Sequence, residues 1–272
     1  MLMMNLGIMS INFLRKLKQH RGLIKSMVIR DLRSRYVGSA MGFFWSVIHP
    51  LVLLASYTFV FSVVLKQSLG PSAGTSSFAI YLFCGILPWL VFQETLMRSS
   101  NVIVDHANLI TKTLFPAEIL PLSVLAANLV NHLIGLGIFL ALVIFYLHKV
   151  SLLFLLFPVY LLALALFSLG LSWFISSVQV FLRDTAQIVS VVLTFWFWFT
   201  PIMFDEKRLQ KWAFILRVNP IAEVVTAYRK CFLSFELPTV KGLVILYVAA
   251  IAVFVAGGLF FRFTKRSFAD VL

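Results

Sequence analysis

Charged residues are scarce in this sequence, and the scarcity excludes a water-soluble globule. Only 12% of the 272 residues are charged and 61% are hydrophobic, whereas an ordinary soluble domain is about half apolar and about a quarter charged. Disorder is excluded as well, because disordered chains are poor in apolar residues. A coiled coil or a collagen would need a sequence repeat, and there is none. The class that remains is a polytopic membrane protein.

Residues that carry covalent and metal chemistry are also few. The two cysteines, Cys84 and Cys231, are too few and too far apart for a disulfide framework or a zinc site. The five histidines form no i,i+3 or i,i+4 pair, and the Walker A, nucleophile-elbow and zinc-protease motifs are missing from the sequence. We therefore predict no catalytic residue, no metal site and no cofactor in this chain.

What the sequence does have is long apolar runs and a net charge of +13. A spanning helix needs about 20 mostly apolar residues. We predict six spans, over 43–65, 78–97, 120–147, 151–182, 186–204 and 242–261. An even number of spans places both termini on one side of the membrane. In a membrane protein an excess of basic residues indicates first the orientation of the chain and its contact with anionic lipids. We therefore predict no nucleic-acid partner.

The distribution of Lys and Arg chooses the side. With the amino terminus in the cytoplasm, 14 of the 23 basic residues lie inside and nine outside. Seven of those nine belong to 205–241, and without them the bias is decisive. The excess of basic residues on the cytoplasmic side favours cytoplasmic termini, but the basic segment 205–241 reduces that excess.

Two segments outside the spans have amphipathic patterns. Residues 11–37 combine an apolar stripe with eight basic residues, which predicts a helix on the membrane surface or, alternatively, a simple anchor. Residues 205–238 form two amphipathic stretches separated by Asn219-Pro220, a pair typical of an N-cap followed by the first helical position. They fit a re-entrant hairpin at the outer surface or an ordinary pair of surface helices.

The loop between the second and third predicted spans, 98–116, also has a helical period. Asn101 is a candidate cap at its start, and Pro116 would end it. A short cytoplasmic helix of this kind suits the groove of a soluble partner.

Four stretches in register resemble the permeases of ABC-2-type polysaccharide export systems. The first is RDLRSRYVGSAMGFFWSVIHP (30–50), with its Arg-Tyr, Gly-Ser, Met-Gly, Trp and Pro in family order. The others are YLFCGILPWLVFQETL (81–96), RDTAQIVSVVLTFWFWFTPIMF (183–204) and NPIAEVVTAYRKCF (219–232). The resemblance covers nearly the whole chain, and the order of the four blocks makes it specific.

This resemblance implies a fold, partners and a location. The fold is all-α and polytopic, with six transmembrane helices, an amino-terminal interface helix and an outer gate hairpin over 205–238. The partners are a second copy of the chain, two ATPase subunits that hold ATP and Mg, and a lipid-linked polysaccharide: O-antigen first, capsule or teichoic acid as alternatives. The location is the bacterial inner membrane. Segment 98–116 resembles the coupling helix that meets the ATPase, which points to Asn101, Asp105, His106, Asn108 and Lys112.

The first and fifth spans resemble those that line the polymer channel. Aromatic rings there could stack on the CH faces of sugars, which suggests a path along Phe43, Trp45, Tyr57, Phe61, Trp196 and Phe199. The alternative is that these rings face lipid, as aromatic side chains do in many membrane proteins. A lipid pyrophosphate would need cations where it enters, and Arg30, Arg33 and Arg35 precede the first span; plain positive-inside anchoring is the alternative.

Two charged pairs are predicted to be structural. Arg183 and Asp184 open the fifth span and are expected to form an ion pair that caps it, since an acid is favourable at a helix N-terminus. Glu94, the single acid within a predicted span, is expected to pair with Arg98 at i,i+4.

Other functional classes stay open at this point. They are an ABC-2 drug or small-lipid exporter, a secondary transporter acting alone, and a membrane-embedded glycosyl- or acyltransferase. A secondary transporter usually has intramembrane charges or inverted repeats, and neither pattern is evident in this sequence.

Overall fold

A computed structural model describes residues 19–35, 41, 44–66, 75, 77–113, 115–148, 151–204 and 218–272. Over these residues the regular secondary structure is helical, with no strand. A lipid-exposed segment must satisfy its own backbone hydrogen bonds, which a helix does within one segment. The apolar runs therefore form helices.

Ten α-helices follow one another along the described residues: α1 (Arg21–Ser34), α2 (Trp45–Tyr57), α3 (Phe78–Asp105), α4 (Ala107–Lys112), α5 (Ile119–Leu147), α6 (Phe157–Phe181), α7 (Thr185–Trp198), α8 (Pro220–Arg229), α9 (Val240–Thr264) and α10 (Phe268–Val271). Two of them continue as π-helix, α2 through Thr58–Val64 and α8 through Lys230–Ser234. Short 3-10 turns, Leu152–Leu156 and Lys265–Ser267, lead into α6 and α10.

Four helical stretches are long and apolar enough to cross a membrane: Phe78–Asp105, Ile119–Tyr146, Leu152–Phe181 and Val240–Val271. The stretches Val47–Phe61 and Thr185–Trp198 are apolar but shorter. These six stretches lie over the six predicted spans. Membrane crossing by the two shorter ones stays a prediction.

The second predicted span, α3, occupies the centre of the bundle. In the most apolar 18-residue window of α3, 78% of the residues are buried. The corresponding share in the last helical stretch is 17%, so most of its residues are not buried. Helices α5, α6, α7 and α8 all pack on α3. Because α3 touches most of the bundle, side chains at its two ends can connect several elements at once.

The tightest helix crossing joins α6 and α9. A Cβ added to Gly257 would lie 2.0 Å from the carbonyl oxygen of Gly170, and one added to Gly170 would lie 2.5 Å from that of Val253. Only glycine permits backbones to approach so closely, as small residues do at helix interfaces in membranes.

The segment after the second span differs from its prediction. Residues 98–105 continue α3 without a break, and the separate helix is only Ala107–Lys112. Asn101 lies inside α3, so it is not an N-cap. No glycine or proline interrupts 98–105, and nothing in that stretch stops the helix before His106.

The two amphipathic segments are described in part. Within 11–37 the helix Arg21–Ser34 packs against α5 and buries Met27; residues 11–18, 36 and 37 lie outside the described residues, as do Phe43 and 205–217. The predicted cap in the second segment is confirmed. The Asn219 side chain accepts from the Ile221 N–H at 3.0 Å, and Pro220 is the first helical residue of α8.

Candidate functional site

A carboxylate on α1 binds arginines from two helices. Asp31 Oδ2 accepts from Arg35 Nε and Nη2 at 3.2 and 3.1 Å, one turn further along α1. The other oxygen, Oδ1, accepts from Nη2 of Arg98 on α3. A guanidinium that donates twice to one carboxylate is held in orientation as well as in distance. Asp31 therefore fixes α1 to the carboxyl-terminal half of α3.

Arg35 extends the contact to α5. Its Nη2 donates to Asn128 Oδ1 at 2.6 Å, and Asn128 Nδ2 donates in turn to Thr95 Oγ1 on α3 at 3.0 Å. Its Nη1 lies 3.6 Å from Glu94 Oε2. The five side chains so connected, which we call the carboxylate–arginine cluster, are Asp31, Arg35, Glu94, Arg98 and Asn128. The cluster joins α1, α3 and α5.

Charge balance explains how this cluster is tolerated between helices. Arg35 and Asp31 are only 13% and 16% exposed, and a buried ion loses several kcal/mol of solvation, roughly, unless partners replace the water. Two guanidinium groups face two carboxylates, so the formal charges cancel. Asn128 accepts a hydrogen bond from Arg35 and donates one to Thr95, and neither bond adds charge to the cluster.

The predicted Glu94–Arg98 pair is wrong, because each side chain has a different partner. Arg98 binds Asp31, and Glu94 faces Arg35. The i,i+4 expectation considers only one helix. Packing of α1 on α5 brings Asp31 and Arg35, an acid and a base from a distant part of the chain, within reach of α3, and these two replace the local contact.

A second contact between α1 and α3 lies close by. Arg30 Nη2 donates to His106 Nε2 at 2.6 Å, and His106 Nδ1 lies 2.9 Å from the Val102 carbonyl oxygen. Since a guanidinium can only donate, Nε2 must accept and the proton belongs on Nδ1, which donates to Val102. Arg33, one turn from Arg30, is exposed.

The five predicted coupling residues are not equivalent. Asp105, Asn108 and Lys112 are exposed at the end of α3 and along α4. His106 is engaged with Arg30, and the Asn101 Oδ1 accepts from Gln179 Nε2 at 2.9 Å. Asn101 is exposed as well, although its bond to Gln179 holds it to α6. Asp105, Asn108 and Lys112 therefore form the surface that a partner could grip, while Asn101 and His106 hold the segment to the rest of the bundle.

The carboxylate–arginine cluster borders a cavity of about 280 Å³ between α2, α3 and α5. Its apolar lining includes Pro50, Leu87 and Leu90. Its polar lining consists of the side chains of Arg35, His49, Glu94, Asn128, Asn131 and His132. The size is close to the lower limit for ligand pockets, about 300 Å³. Trp45 lies at its edge, half exposed.

The aromatic residues of the predicted polymer path divide into two groups. Trp196 turns into the bundle, where its ring lies 5.1 Å from that of Phe92 and its Nε1 donates to Asn219 at 3.0 Å. Phe61 packs 4.9 Å from Phe78, with Tyr57 beside it. Trp45 and Phe199 are exposed.

Two further rings of α7, those of Phe195 and Trp198, are exposed. They project 64% and 62% exposed from the same helix as the buried Leu193. A run of five aromatic residues points around more than one turn, so composition alone does not show which rings face outwards.

At the start of α7 the expected ion pair does not form. Asp184 is the N-cap residue, as its position predicted, but its side chain makes no cap hydrogen bond, and none of the ion pairs between described residues joins it to Arg183. Gln179 performs the capping instead: its Oε1 accepts from the Ala186 N–H at 2.8 Å, and its Nε2 donates to the Arg183 carbonyl at 3.0 Å. An amide can cap both chain ends of the turn, which a carboxylate cannot.

A buried arginine organises the opposite end of α3. Arg229 is 6% exposed, its Nη1 donates to the Pro201 carbonyl and its Nη2 to that of Ile202 at 2.6 Å. The guanidinium carbon lies 3.6 Å from the centre of the Tyr81 ring, a cation–π distance. Arg229 thus fixes the turn that follows α7 against the first turn of α3.

Comparison with known proteins gives a consistent result. The model of the family described as ABC-2 type transporter matches residues 22–233. An O-antigen export system permease protein RfbA from Myxococcus xanthus is 32% identical over 263 residues, covering 96% of this chain and 99% of the relative. Two proteins of the same description from Klebsiella pneumoniae are 26% and 27% identical, each over 94% of this chain and 99% of the relative.

Proposed function

Because this chain belongs to the ABC-2 type transporter family, we infer that it is the permease subunit of an ABC transporter that exports O-antigen. The observation that carries the proposal is similarity from end to end: all three relatives are O-antigen export permeases, and this chain covers 99% of each. The lack of a Walker A motif in the sequence fits a subunit that takes its energy from another chain.

We also propose the partners of the chain and its topology in the membrane. Two copies of the chain form the channel in the bacterial inner membrane, and two ATPase subunits bind ATP and Mg on the cytoplasmic side. All six apolar stretches cross the membrane, with both termini in the cytoplasm. Support for the dimer comes from the family resemblance.

The substrate is proposed to be a polysaccharide linked to a lipid through pyrophosphate. Its anionic head would first meet the exposed Arg33, whereas Arg30 is bound to His106 and Arg35 to Asp31 and Asn128. Exposed α7 rings give the sugars flat apolar surfaces to slide along. Asp105, Asn108 and Lys112 form the surface proposed to meet the ATPase.

Gene deletion in the source bacterium tests the function. Cells without the permease should lose the O-antigen ladder of surface lipopolysaccharide and accumulate lipid-linked polymer on the cytoplasmic side. Inactivating the Walker A lysine of the partner ATPase should give the same phenotype. An unchanged ladder, together with loss of resistance to a drug, would contradict O-antigen export and favour a drug exporter. Light scattering on the purified complex tests the assembly of two permease and two ATPase chains.

A further inference from the structure

The carboxylate–arginine cluster lies between the surface proposed to meet the ATPase and the start of the first span. On one side, α3 runs from Arg98 to Asp105 without a break and leads through His106 into α4. On the other side, α1 ends at Ser34, and ten residues separate it from Trp45, where α2 begins. The cluster is therefore the side-chain route from the end of α3 to α1, while α2 packs on α3 directly.

Asp31 is the member of the cluster on which the route depends. Its two oxygens serve different helices, Oδ2 binding Arg35 on α1 and Oδ1 binding Arg98 on α3. Without that carboxylate the two guanidinium groups would face each other as like charges in a poorly hydrated place, and like charges repel more strongly there than in water. Loss of Asp31 would therefore turn an attraction between α1 and α3 into a repulsion.

The neighbouring contact between Arg30 and His106 restricts rotation of α1 relative to α3. Arg30 binds His106, eight residues beyond Arg98 on α3, which is about 12 Å along a helix axis. Two contacts separated along α3 prevent α1 from rotating about either of them. Arg35 also holds Asn128 of α5, the helix on which α1 packs.

We propose that Asp31 is a positioning residue for transport: it makes α1 and α3 move as one body, so that the ATPase-driven displacement of the α3–α4 corner reaches the first span. This inference rests on the proposed function. Asp31 has no part in binding the polymer or ATP, and its effect is on how much transport each ATP yields.

The test uses the full permease–ATPase complex in proteoliposomes and measures ATP hydrolysis and polymer transport in parallel. Asp31→Asn keeps the shape and removes the charge. We expect polymer transported per ATP to fall about tenfold, within the usual range of coupling between sites, while ATP hydrolysis per assembled complex changes by less than about twofold. The matched control is Asp270→Asn, the same substitution at an exposed position of α10, which should leave both rates unchanged.

Rescue variants separate coupling from mere stability. Asp31→Glu keeps the carboxylate and should restore most of the transport per ATP. The double variant Asp31→Arg with Arg98→Asp keeps the net charge, since the acid at position 98 then faces guanidinium groups at positions 31 and 35; it should transport better than either single variant. This comparison applies even when Asp31→Asn assembles poorly.

Three outcomes overturn the inference: transport per ATP unchanged in Asp31→Asn, hydrolysis and transport lost in proportion to the amount of complex assembled, or no rescue by the double variant. Failure of the unsubstituted complex to move polymer in the same assay would instead contradict the proposed function.

Discussion

The two ends of α3 are both organised by arginine, but the partners differ in kind. Near Arg98 the guanidinium groups bind carboxylates on other helices. Near Tyr81, about 25 Å away along the axis, the guanidinium of Arg229 binds backbone carbonyls of the turn after α7. A side-chain carboxylate can change partner by a rotamer change, whereas a carbonyl moves only with its backbone. The comparison suggests that the Arg98 end transmits movement and the Arg229 end resists it.

The largest effect on stability is expected at the Arg229 end. Arg229→Met should lower the free energy of unfolding by about 3–5 kcal/mol, the cost of breaking a buried charged interaction by removing one partner. Arg229→Lys should recover only part of this, because an ammonium does not reproduce the guanidinium fork. Thermal unfolding of the purified protein in detergent measures both. The adjacent Lys230→Met is the control, and an equal loss there would mean that the carbonyl contacts are unimportant.

Substitutions of Asn219 test the accepted and the donated hydrogen bonds of the same region separately. Its Oδ1 accepts from the Ile221 and Trp196 N–H groups, and its Nδ2 donates to the Phe199 carbonyl and to Thr200 Oγ1. Asn219→Ala should cost about 2 kcal/mol, a cap plus a buried hydrogen bond. Asn219→Asp keeps the acceptor and should cost less in the same unfolding measurement. A loss for Asp as large as that for Ala would show that the donated bonds dominate.

At the other end of the bundle, the neutral side chain of Gln179 tests whether hydrogen bonds contribute less to the free energy of unfolding than they do near Arg229. Gln179→Leu removes the cap on Ala186 and the bond to Asn101. We expect a loss of about 1–1.5 kcal/mol, since water can reach the freed groups of this half-exposed turn. Gln187→Leu, the same change at an exposed position of α7, should have no comparable effect. Equal losses from the two variants would reject the capping role.

The smallest effect is expected at the Lys265–Glu118 pair. The Nζ lies 3.2 Å from Glu118 Oε2, with the two side chains 33% and 18% exposed. Solvent screening keeps such a pair near 0.5 kcal/mol, roughly, and salt should reduce it further. Lys265→Met is compared with Arg266→Met in low and high salt. If the Lys265 effect persisted in high salt, direct ion pairing would not be its cause.

The sequence predicted what depends on neighbouring residues. Apolar runs longer than about 20 residues formed helices, since the bilayer length requires them, and Asn219-Pro220 formed the expected cap because the motif is local. The partners of Glu94 and Arg98 were not predictable in this way. Asp31 lies 67 positions from Arg98, so only tertiary packing, in which α1 lies on α5, brings them together.

The aromatic path shows a similar limit. Five consecutive rings over 195–199 are expected to surround a helix, and the sequence does not indicate which turn inwards. Packing against Phe92 and the hydrogen bond to Asn219 select Trp196 as the inward residue. Phe195 and Trp198 are left outside. They are better candidates for the polymer surface than Trp196 is.

The central claim is that this chain forms an export channel whose energy comes from a separate ATPase. The most direct test reconstitutes purified permease with its ATPase in vesicles that carry lipid-linked O-antigen on the outer face, with the ATPase also outside. The account predicts that polymer becomes protected inside the vesicles only when both proteins and ATP are present. Uptake without the ATPase, driven by a proton gradient alone, would contradict it and would identify a secondary transporter.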